Sequence, residues 1–352
     1  MTLRATISMR RKVLSRCGVA MLVFCGSCAG HLPRTSIPEV ESYRQATRSS
    51  KHSTYLYVAN SVKSVSIFAL GSLKPLREIR RRADSGAMTF DSAGNLYVAN
   101  EAIDYGSITV YGSGTGKRLR SIHDSGPTSI VLDAAGYLYV ANYGPAVAVY
   151  APNSTRVSHV IRKDVDGAVA LAFDKKNNLY VANVTGNSVT VYAPGKRAGD
   201  PQLTKKISGL RRPRALAFGP DGDLFVIVND GVNVYKGGSL ELKRQIRGVR
   251  APMALAVSAS GMLYVSSSPV TRKGYQKGWV TAYPSNSGRP VAKITDGIDV
   301  PAALGIGPYD DDLYVANERG ASVTVYSPHD VKLIRKIVQG ISVPSFVAFG
   351  PN

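Results

Sequence analysis

Cysteine is nearly absent from this chain, and the few cysteines all lie close to its N-terminus. Cys17, Cys25 and Cys28 are the only three, so the remainder of the 352 residues has none. A disulfide framework is therefore excluded for the main part of the chain, even in an oxidising compartment. Cys25 and Cys28 have the CxxC spacing of redox and metal sites, but they lie in a segment that we expect to be removed or lipidated.

Motifs that mark common catalytic sites are also missing. The five histidines are dispersed, and neither an HExxH nor a GxSxG motif occurs. The glycine-rich run from Gly112 to Lys117 joins two predicted strands and lacks both the spacing and the following Ser or Thr of a phosphate-binding loop. The sequence therefore predicts no catalytic residues and no metal ligands.

The dominant feature that is present is a repeat. The phrase Leu-Tyr-Val-Ala-Asn or a close variant occurs seven times, at intervals of 39 to 50 residues. Each copy is followed by a second alternating segment such as VTVY, and a period of two predicts β-strands. Helical periodicity of useful length is absent from the repeats. The seven copies begin at positions 56, 96, 138, 179, 224, 263 and 313.

Each repeat predicts four short antiparallel strands. An apolar strand ends in a turn such as Gly-Pro-Asp-Gly, and then LYVAN, VTVY and a basic strand ending in Ile follow. Units of about 40 residues with four strands are typical of β-propeller blades. The first LYVAN lacks a preceding apolar strand, and the chain ends with one at 344–352. We therefore predict an all-β, seven-bladed β-propeller over residues 53–352, closed when the C-terminal strand joins blade 1.

The N-terminal segment predicts export. A positively charged region at 10–16 precedes an apolar run, centred on 19–24, that is too short to span a bilayer. Residues 1–30 are therefore interpreted as a signal peptide. Residues 31–52, rich in Ser, Thr, Arg and Pro, are interpreted as a flexible tether.

Two processing routes are compatible with this segment. The sequence CGSC at 25–28 resembles the lipobox of bacterial lipoproteins, in which Cys28 would be lipidated and would tether the protein to a membrane. Ordinary cleavage after Ala29 is the alternative. Either route predicts a location in the periplasm or the cell envelope.

Charge is the second informative property. The chain has a formal net charge of +20, and residues 53–352 keep 35 of its 44 Lys and Arg and 22 of its 24 Asp and Glu. In a four-stranded blade, the loop between strands two and three lies on the same face as the connection from strand four to the next blade. One face should therefore be basic and attract anions, with a scatter of solvated charges as the alternative. The arginines at or near those connections are Arg80, Arg81, Arg82, Arg211, Arg212, Arg214, Arg247 and Arg250.

The longest loop of this face belongs to blade 6. Val280 follows Leu263 by 17 residues, whereas Val323 follows Leu313 by only ten. Basic groups interleaved with aromatic ones suit sugars, phosphates or a partner groove, although an insertion without a role is the alternative. The predicted ligand-binding residues are Arg212, Arg214 and, in this loop, Arg272, Lys273, Tyr275, Lys277 and Trp279.

Three blade motifs resemble those of the NHL-repeat and gluconolactonase-like propellers. They are FDSAGNLYVAN at 90–100, AFDKKNNLYVAN at 172–183 and AFGPDGDLFV at 217–226. The resemblance covers nearly all of 53–352 and implies the propeller fold. These families include lactone hydrolases, a lyase, scaffolds and ligand binders, so the resemblance implies no single activity. Lactonases of this kind hold a divalent cation at the mouth of the channel with Glu, Asn and Asp side chains.

The predicted channel lining does not match such a cation site. A hard cation usually needs several carboxylate or carbonyl oxygens, whereas Arg214 is the only charged residue of the seven predicted inner strands, which also lack His and Cys. The Asn that ends five LYVAN copies is interpreted as structural, because Asn at a strand end bonds to nearby backbone amides. The inner strands lie near 86–90, 128–132, 168–173, 214–218, 253–257, 302–306 and 345–349. A metal site at the rim stays an alternative because of four acidic residues in loops, which are Asp164, Asp166, Asp296 and Asp299.

These observations predict an exported or lipid-anchored propeller that acts as a binding or scaffold protein. Its partner would be an anionic ligand, such as a glycan or a phosphate-bearing molecule, or another protein. No cofactor is expected under this hypothesis, and no nucleic-acid-binding module is recognised. The alternative is a metal-dependent lactonase-like hydrolase of the gluconolactonase type, with Ca²⁺ or another divalent cation.

Overall fold

The computed structural model describes residues 54–61, 64–80, 85–100, 106–197, 199–271, 274–284 and 286–351. The described residues form thirty β-strands and no helix, so none of them belongs to a helix able to cross a membrane. The predicted signal peptide, the predicted tether and Cys28 lie outside the described residues.

Twenty-eight of the strands form seven four-stranded sheets, and each sheet is one blade. Blade 1 begins with β1 (Thr54–Asn60), β2 (Ser64–Ala69) and β3 (Arg77–Arg80). Blade 2 comprises β4 (Ser85–Phe90), β5 (Leu96–Asn100), β6 (Ser107–Tyr111) and β7 (Arg118–His123). Blade 3 comprises β8 (Ser129–Leu132), β9 (Leu138–Ala141), β10 (Val147–Tyr150) and β11 (Val157–Ile161). Blade 4 comprises β12 (Ala168–Phe173), β13 (Leu179–Asn183), β14 (Ser188–Ala193) and β15 (Gln202–Ile207).

The remaining strands complete the ring. Blade 5 comprises β16 (Ala215–Phe218), β17 (Leu224–Val228), β18 (Gly231–Tyr235) and β19 (Leu242–Arg247). In blade 6, β20 (Pro252–Val257) and β21 (Met262–Ser267) are followed by the small hairpin β22 (Val270–Thr271) and β23 (Gly274–Tyr275), and then by β24 (Trp279–Pro284) and β25 (Ala292–Ile294). Blade 7 comprises β26 (Pro301–Ile306), β27 (Leu313–Asn317), β28 (Ser322–Tyr326) and β29 (Leu333–Ile337), after which β30 (Pro344–Pro351) returns to blade 1.

The two ends of the described chain close the ring. β30 pairs antiparallel with β1, from Thr54↔Pro351 to Ala59↔Phe346, and blade 1 has the strand order β3-β2-β1-β30. The innermost strands β30, β4, β8, β12, β16, β20 and β26 contact one another in a closed cycle. The predicted all-β, seven-bladed propeller and its closure are therefore confirmed.

The core lies between neighbouring blades and is built from residues that the repeat supplies. The valine at the third position of LYVAN is 0% exposed in every blade. The tyrosine at the second position packs edge to face on a phenylalanine of the next blade's innermost strand, which adds about 0.5–1.5 kcal/mol per pair beyond the buried area. Four such pairs, with ring centroids 4.8–5.2 Å apart, are Tyr57–Phe90, Tyr139–Phe173, Tyr180–Phe218 and Tyr314–Phe349.

The disc has two faces, which differ in the loops they carry. The connection face carries the links from the fourth strand of one blade to the first strand of the next, together with the loops between second and third strands. The turn face carries all other loops. Hydrogen bonds confirm this grouping: Val184 N donates to Gly167 O on the connection face, and Ser113 N donates to Asn95 Oδ1 on the turn face.

The asparagine that ends LYVAN fastens a link of the connection face to its blade. Asn183, which is fully buried, accepts a hydrogen bond from Asp166 N (3.1 Å) and donates one to Thr190 Oγ1 (3.0 Å). The interpretation of this residue as structural is confirmed in three blades. The equivalent bonds in the other two join Asn60 to Ser342 N and Asn317 to Asp299 N.

Much of the positive charge lies on the outermost strands. The seven fourth strands hold twelve Lys and Arg and a single acidic residue, Glu78. A fourth strand is an exposed sheet edge, and cationic side chains on such an edge prevent other chains from pairing with it. Part of the net charge therefore has a structural role at the rim of the disc.

Candidate anion-binding site

Five arginines lie on or directly before two neighbouring links of the connection face. The link from β15 to β16 carries Arg211, Arg212 and Arg214. Arg247 is the last residue of β19, and the link from β19 to β20 includes Arg250. These links lead into blades 5 and 6, which are neighbours in the ring. We call these five residues the arginine sector.

Two members of the sector have polar partners. Arg211 Nη1 lies 3.3 Å from Asp230 Oδ2, and both side chains are largely exposed. An exposed ion pair of this kind contributes about 0–1 kcal/mol and is readily exchanged for another anion. Arg247 donates from Nε and Nη2 to Gln245 Oε1, at 3.2 and 2.6 Å.

The other three guanidinium groups form no hydrogen bond or ion pair with the described residues. Arg212 and Arg250 are exposed, and Arg214 is half-buried. The backbone of Arg212 is in the left-handed region, with φ 53°, and its N–H donates to Asn187 Oδ1 at 3.0 Å. A guanidinium group without a counter-charge offers five N–H donors to a carboxylate, sulfate or phosphate. The structure therefore places the predicted residues Arg212 and Arg214 on one face, with their donors available.

The long loop of blade 6 adjoins the arginine sector. Its hairpin pairs β22 with β23, and at its base Ser268 N donates to Ala251 O at 3.1 Å. Ala251 follows Arg250 directly. The predicted loop and the predicted arginines thus belong to one region of the connection face.

The five predicted residues of this loop are placed differently. Lys277 is exposed, whereas Trp279 is half-buried and its ring centroid lies 4.2 Å from Lys293 Nζ on the outermost strand. This cation–π contact covers one face of the indole ring within its own blade. Outside the described residues lie Arg272, Lys273 and the side chain of Tyr275.

The acidic residues considered as metal ligands are divided between two other links. Asp164 and Asp166 precede blade 4, and Asp296 and Asp299 precede blade 7. Asp164 is paired with Lys206 Nζ at 2.5 Å. Among the described residues, no group of three His, Cys, Asp or Glu side chains could together hold a metal ion.

Two buried carboxylates occupy equivalent positions on the turn face, directly before β17 and β27. Burial and the neighbouring Asp310 raise the pKa of Asp312 to about 6, against the opposing charge of Arg335. Burial also acts to raise the pKa of Asp223, but the hydrogen bond and the charge of Lys243, 2.6 Å away, lower it below its ordinary value. The two positions therefore differ in electrostatics although the repeat makes them alike.

Arg247 and Arg250 are not among the ligand-binding residues predicted from the sequence. A signal for Arg250 was present, because both links contain Arg-x-Pro: Arg211 precedes Pro213 by two positions, as Arg250 precedes Pro252. Equivalent spacing before equivalent strands places side chains at equivalent points of the ring.

The closed ring of seven four-stranded blades defines the chain as a seven-bladed β-propeller. No protein-family model matches the chain, and no curated protein matches its sequence. Membership of the NHL-repeat or gluconolactonase-like families therefore stays a prediction.

Several solved structures share the fold. The periplasmic gluconolactonase of Pseudomonas aeruginosa is 19% identical, with a TM-score of 0.62 over 85% of this chain and 99% of that one. A Bacteroides uniformis protein provisionally named a 6-phosphogluconolactonase is 16% identical, with a TM-score of 0.66 over 84% and 99%. A protein from Lactobacillus plantarum is 18% identical, with a TM-score of 0.67 over 85% and 99%. At such identities the likeness concerns the fold alone.

Proposed function

We propose that this chain is a binding protein of the cell envelope that recognises an anionic ligand through the arginine sector. The observation that carries the proposal is that Arg212, Arg214 and Arg250 lie on neighbouring links without a partner among the described residues. Neither link contains an acidic residue. A planar guanidinium group forms paired hydrogen bonds with carboxylate, sulfate or phosphate, and a cluster of such groups also raises the rate of anion encounter.

The proposal includes export and, with Cys28 lipidated, attachment to a membrane. Thr54, the first described residue, lies on the turn face, where its Oγ1 is 2.8 Å from Tyr309 Oη. A chain anchored at Cys28 would therefore reach the disc on the face opposite the arginine sector. The tether would leave the sector unobstructed and open to soluble or wall-bound ligands.

The test is binding of dextran sulfate and of inorganic phosphate at two salt concentrations. The triple variant Arg212→Ala, Arg214→Ala, Arg250→Ala should bind both probes more weakly and with a smaller salt dependence. The control triple Arg118→Ala, Lys176→Ala, Lys336→Ala changes the net charge equally, with three exposed cations that lie off the sector. Equal weakening of binding in both triple variants would refute recognition through the sector and would show that binding depends only on net charge.

The second candidate is a metal-dependent lactonase-like hydrolase, favoured by the names of two of the solved proteins that share the fold. Under this hypothesis Ca²⁺ or another divalent cation would activate water or polarise the lactone carbonyl. Turnover of gluconolactone that disappears on chelation and returns with the cation would support it. A rate equal to the uncatalysed rate, with and without cation, would exclude that substrate.

A further inference from the structure

The seven innermost strands share an irregularity where they begin on the connection face. In five blades the register between the first and second strands shifts directly after the first residue pair. In blade 5, Arg214 N donates to Ile227 O although Ile227 is the ladder partner of the next residue, Ala215. Thr128 in blade 3 does the same with Ala141. Two residues opposite one define a β-bulge, so every innermost strand has one at this point.

In five of the seven blades the extra residue of the bulge is partly exposed although its neighbours are not, whereas the corresponding residues Gly86 and Val169 are buried. In five blades it follows a proline, and it is half-buried, whereas the proline before it and the residue after it are buried. Neighbouring blades cover both sides of an innermost strand, so the solvent that reaches its first residues is that of the connection face at the mouth of the central channel. The five residues are Thr128, Arg214, Met253, Ala302 and Ser345, and we call this set the channel ring.

Arg214 is the only charged member of the channel ring. Thr128 and Ser345 direct their hydroxyl groups to backbone carbonyls of their own blades. The corresponding residues of blades 2 and 4 are the uncharged Gly86 and Val169. A single cation among uncharged side chains at the mouth of a channel concentrates positive potential at one point.

We propose that the channel mouth on the connection face binds the anionic group of the ligand, and that Arg214 is the residue that binds it. This inference rests on the proposed function and assigns its ligand chemistry. One cation fits one carboxylate or phosphate group, and the uncharged remainder of the ring fits an uncharged body that enters the channel end first. The exposed arginines of the sector lie outside the ring and increase the rate of encounter.

The test is isothermal titration of the purified protein with inorganic phosphate at low salt. Loss of a charge-assisted hydrogen bond should weaken binding by about 10- to 100-fold in Arg214→Ala. Arg118→Ala is the matched control, because Arg118 is an exposed arginine that lies off the sector. It should weaken binding by less than about threefold, as expected for an exposed charge. Arg250→Ala, within the sector, should weaken binding more than Arg118→Ala and less than Arg214→Ala.

A second variant moves the arginine to the equivalent position of the next blade. It tests whether an arginine at this point of the ring is enough to bind phosphate. Met253 occupies the same point of the ring in the next blade, so Arg214→Ala combined with Met253→Arg should restore phosphate binding to within a few fold of the wild type. Thermal unfolding of both variants shows whether the fold is kept. Failure to restore binding in a folded double variant would overturn the channel-mouth assignment.

The remaining outcomes separate the two proposals. Equal weakening by Arg214→Ala and Arg250→Ala would overturn the channel-mouth assignment while leaving anion binding by the sector. If the wild-type protein binds neither phosphate nor dextran sulfate, the proposed function fails, and the assignment of Arg214 fails with it.

Discussion

Replacement of Asp312 by Asn is expected to stabilise the protein at neutral pH, although Asp312 is buried and has an arginine neighbour. Its side chain is 10% exposed, and its Oδ2 lies 3.4 Å from Arg335 Nη2. The pKa of about 6 compares with 3.8 for an unperturbed carboxyl group. The folded protein therefore binds this proton more tightly than the unfolded chain does, and the ionised carboxylate destabilises the fold.

The two pKa values set the magnitude. A difference of about two units corresponds to ~3 kcal/mol in the free energy of unfolding. This loss is complete above pH 6, decreases as the pH falls from 6 to 3.8, and is absent below that, where both states are protonated. Asn has nearly the same size as the protonated acid and keeps an oxygen that can accept from Arg335. The free energy of unfolding of the variant should exceed that of the wild type by up to about 3 kcal/mol at pH 8, and the two should be nearly equal near pH 4.

The equivalent carboxylate in blade 5 supplies the control. The pKa of Asp223 is lowered, because the hydrogen bond and charge of Lys243 outweigh burial. Asp223→Asn should therefore destabilise the protein at neutral pH, and its effect should shrink only as the pH falls below 3.8 towards the lowered pKa of the folded state. Urea unfolding followed by circular dichroism from pH 2 to 8 measures both variants. Destabilisation by Asp312→Asn at pH 8, or an effect independent of pH, would refute the reasoning.

Two further predictions concern the fold. Asn183→Ala should lower the free energy of unfolding by about 1–3 kcal/mol, because Asp166 N and Thr190 Oγ1 lose a buried partner. Chemical denaturation should show a smaller loss for Asn142→Ala, whose side chain is only half-buried. Deletion of residues 344–352 should abolish cooperative thermal unfolding, because β1 would become an unpaired edge. A truncated chain that keeps the wild-type transition in calorimetry would contradict the closure argument.

The ring could be predicted because its signals are local and repeated. Alternation within LYVAN and VTVY predicts strands, seven copies give seven blades, and the complementary ends give the closure. The order of strands within a blade then assigns Arg212, Arg214 and Lys277 to one face, where the structure also has them. Their role in binding a ligand stays a prediction.

The bulges and the opposite pKa shifts of Asp223 and Asp312 could not be predicted, because both depend on residues that strand pairing brings together. Arg214 is recognisable from the sequence as the only charged residue of the predicted inner strands, but an alternating pattern does not show which residue is extra in a ladder. Asp223 and Asp312 precede similar second strands. They differ because Lys243 occupies a position of the outermost strand that Ile334 fills in blade 7.

The direct pairing of Thr54 with Pro351 bears on where the chain could be opened or joined without loss of the fold. Both residues lie on the turn face, at the place where the other blades join their first and second strands by turns such as residues 91–95. A linker as short as those turns could join them, and the chain could be opened in the blade 6 loop instead. Such a circularly permuted chain would form the same ring, which would then be closed by strand pairing within blade 6. The ring of seven blades therefore does not depend on which blade contains the chain termini.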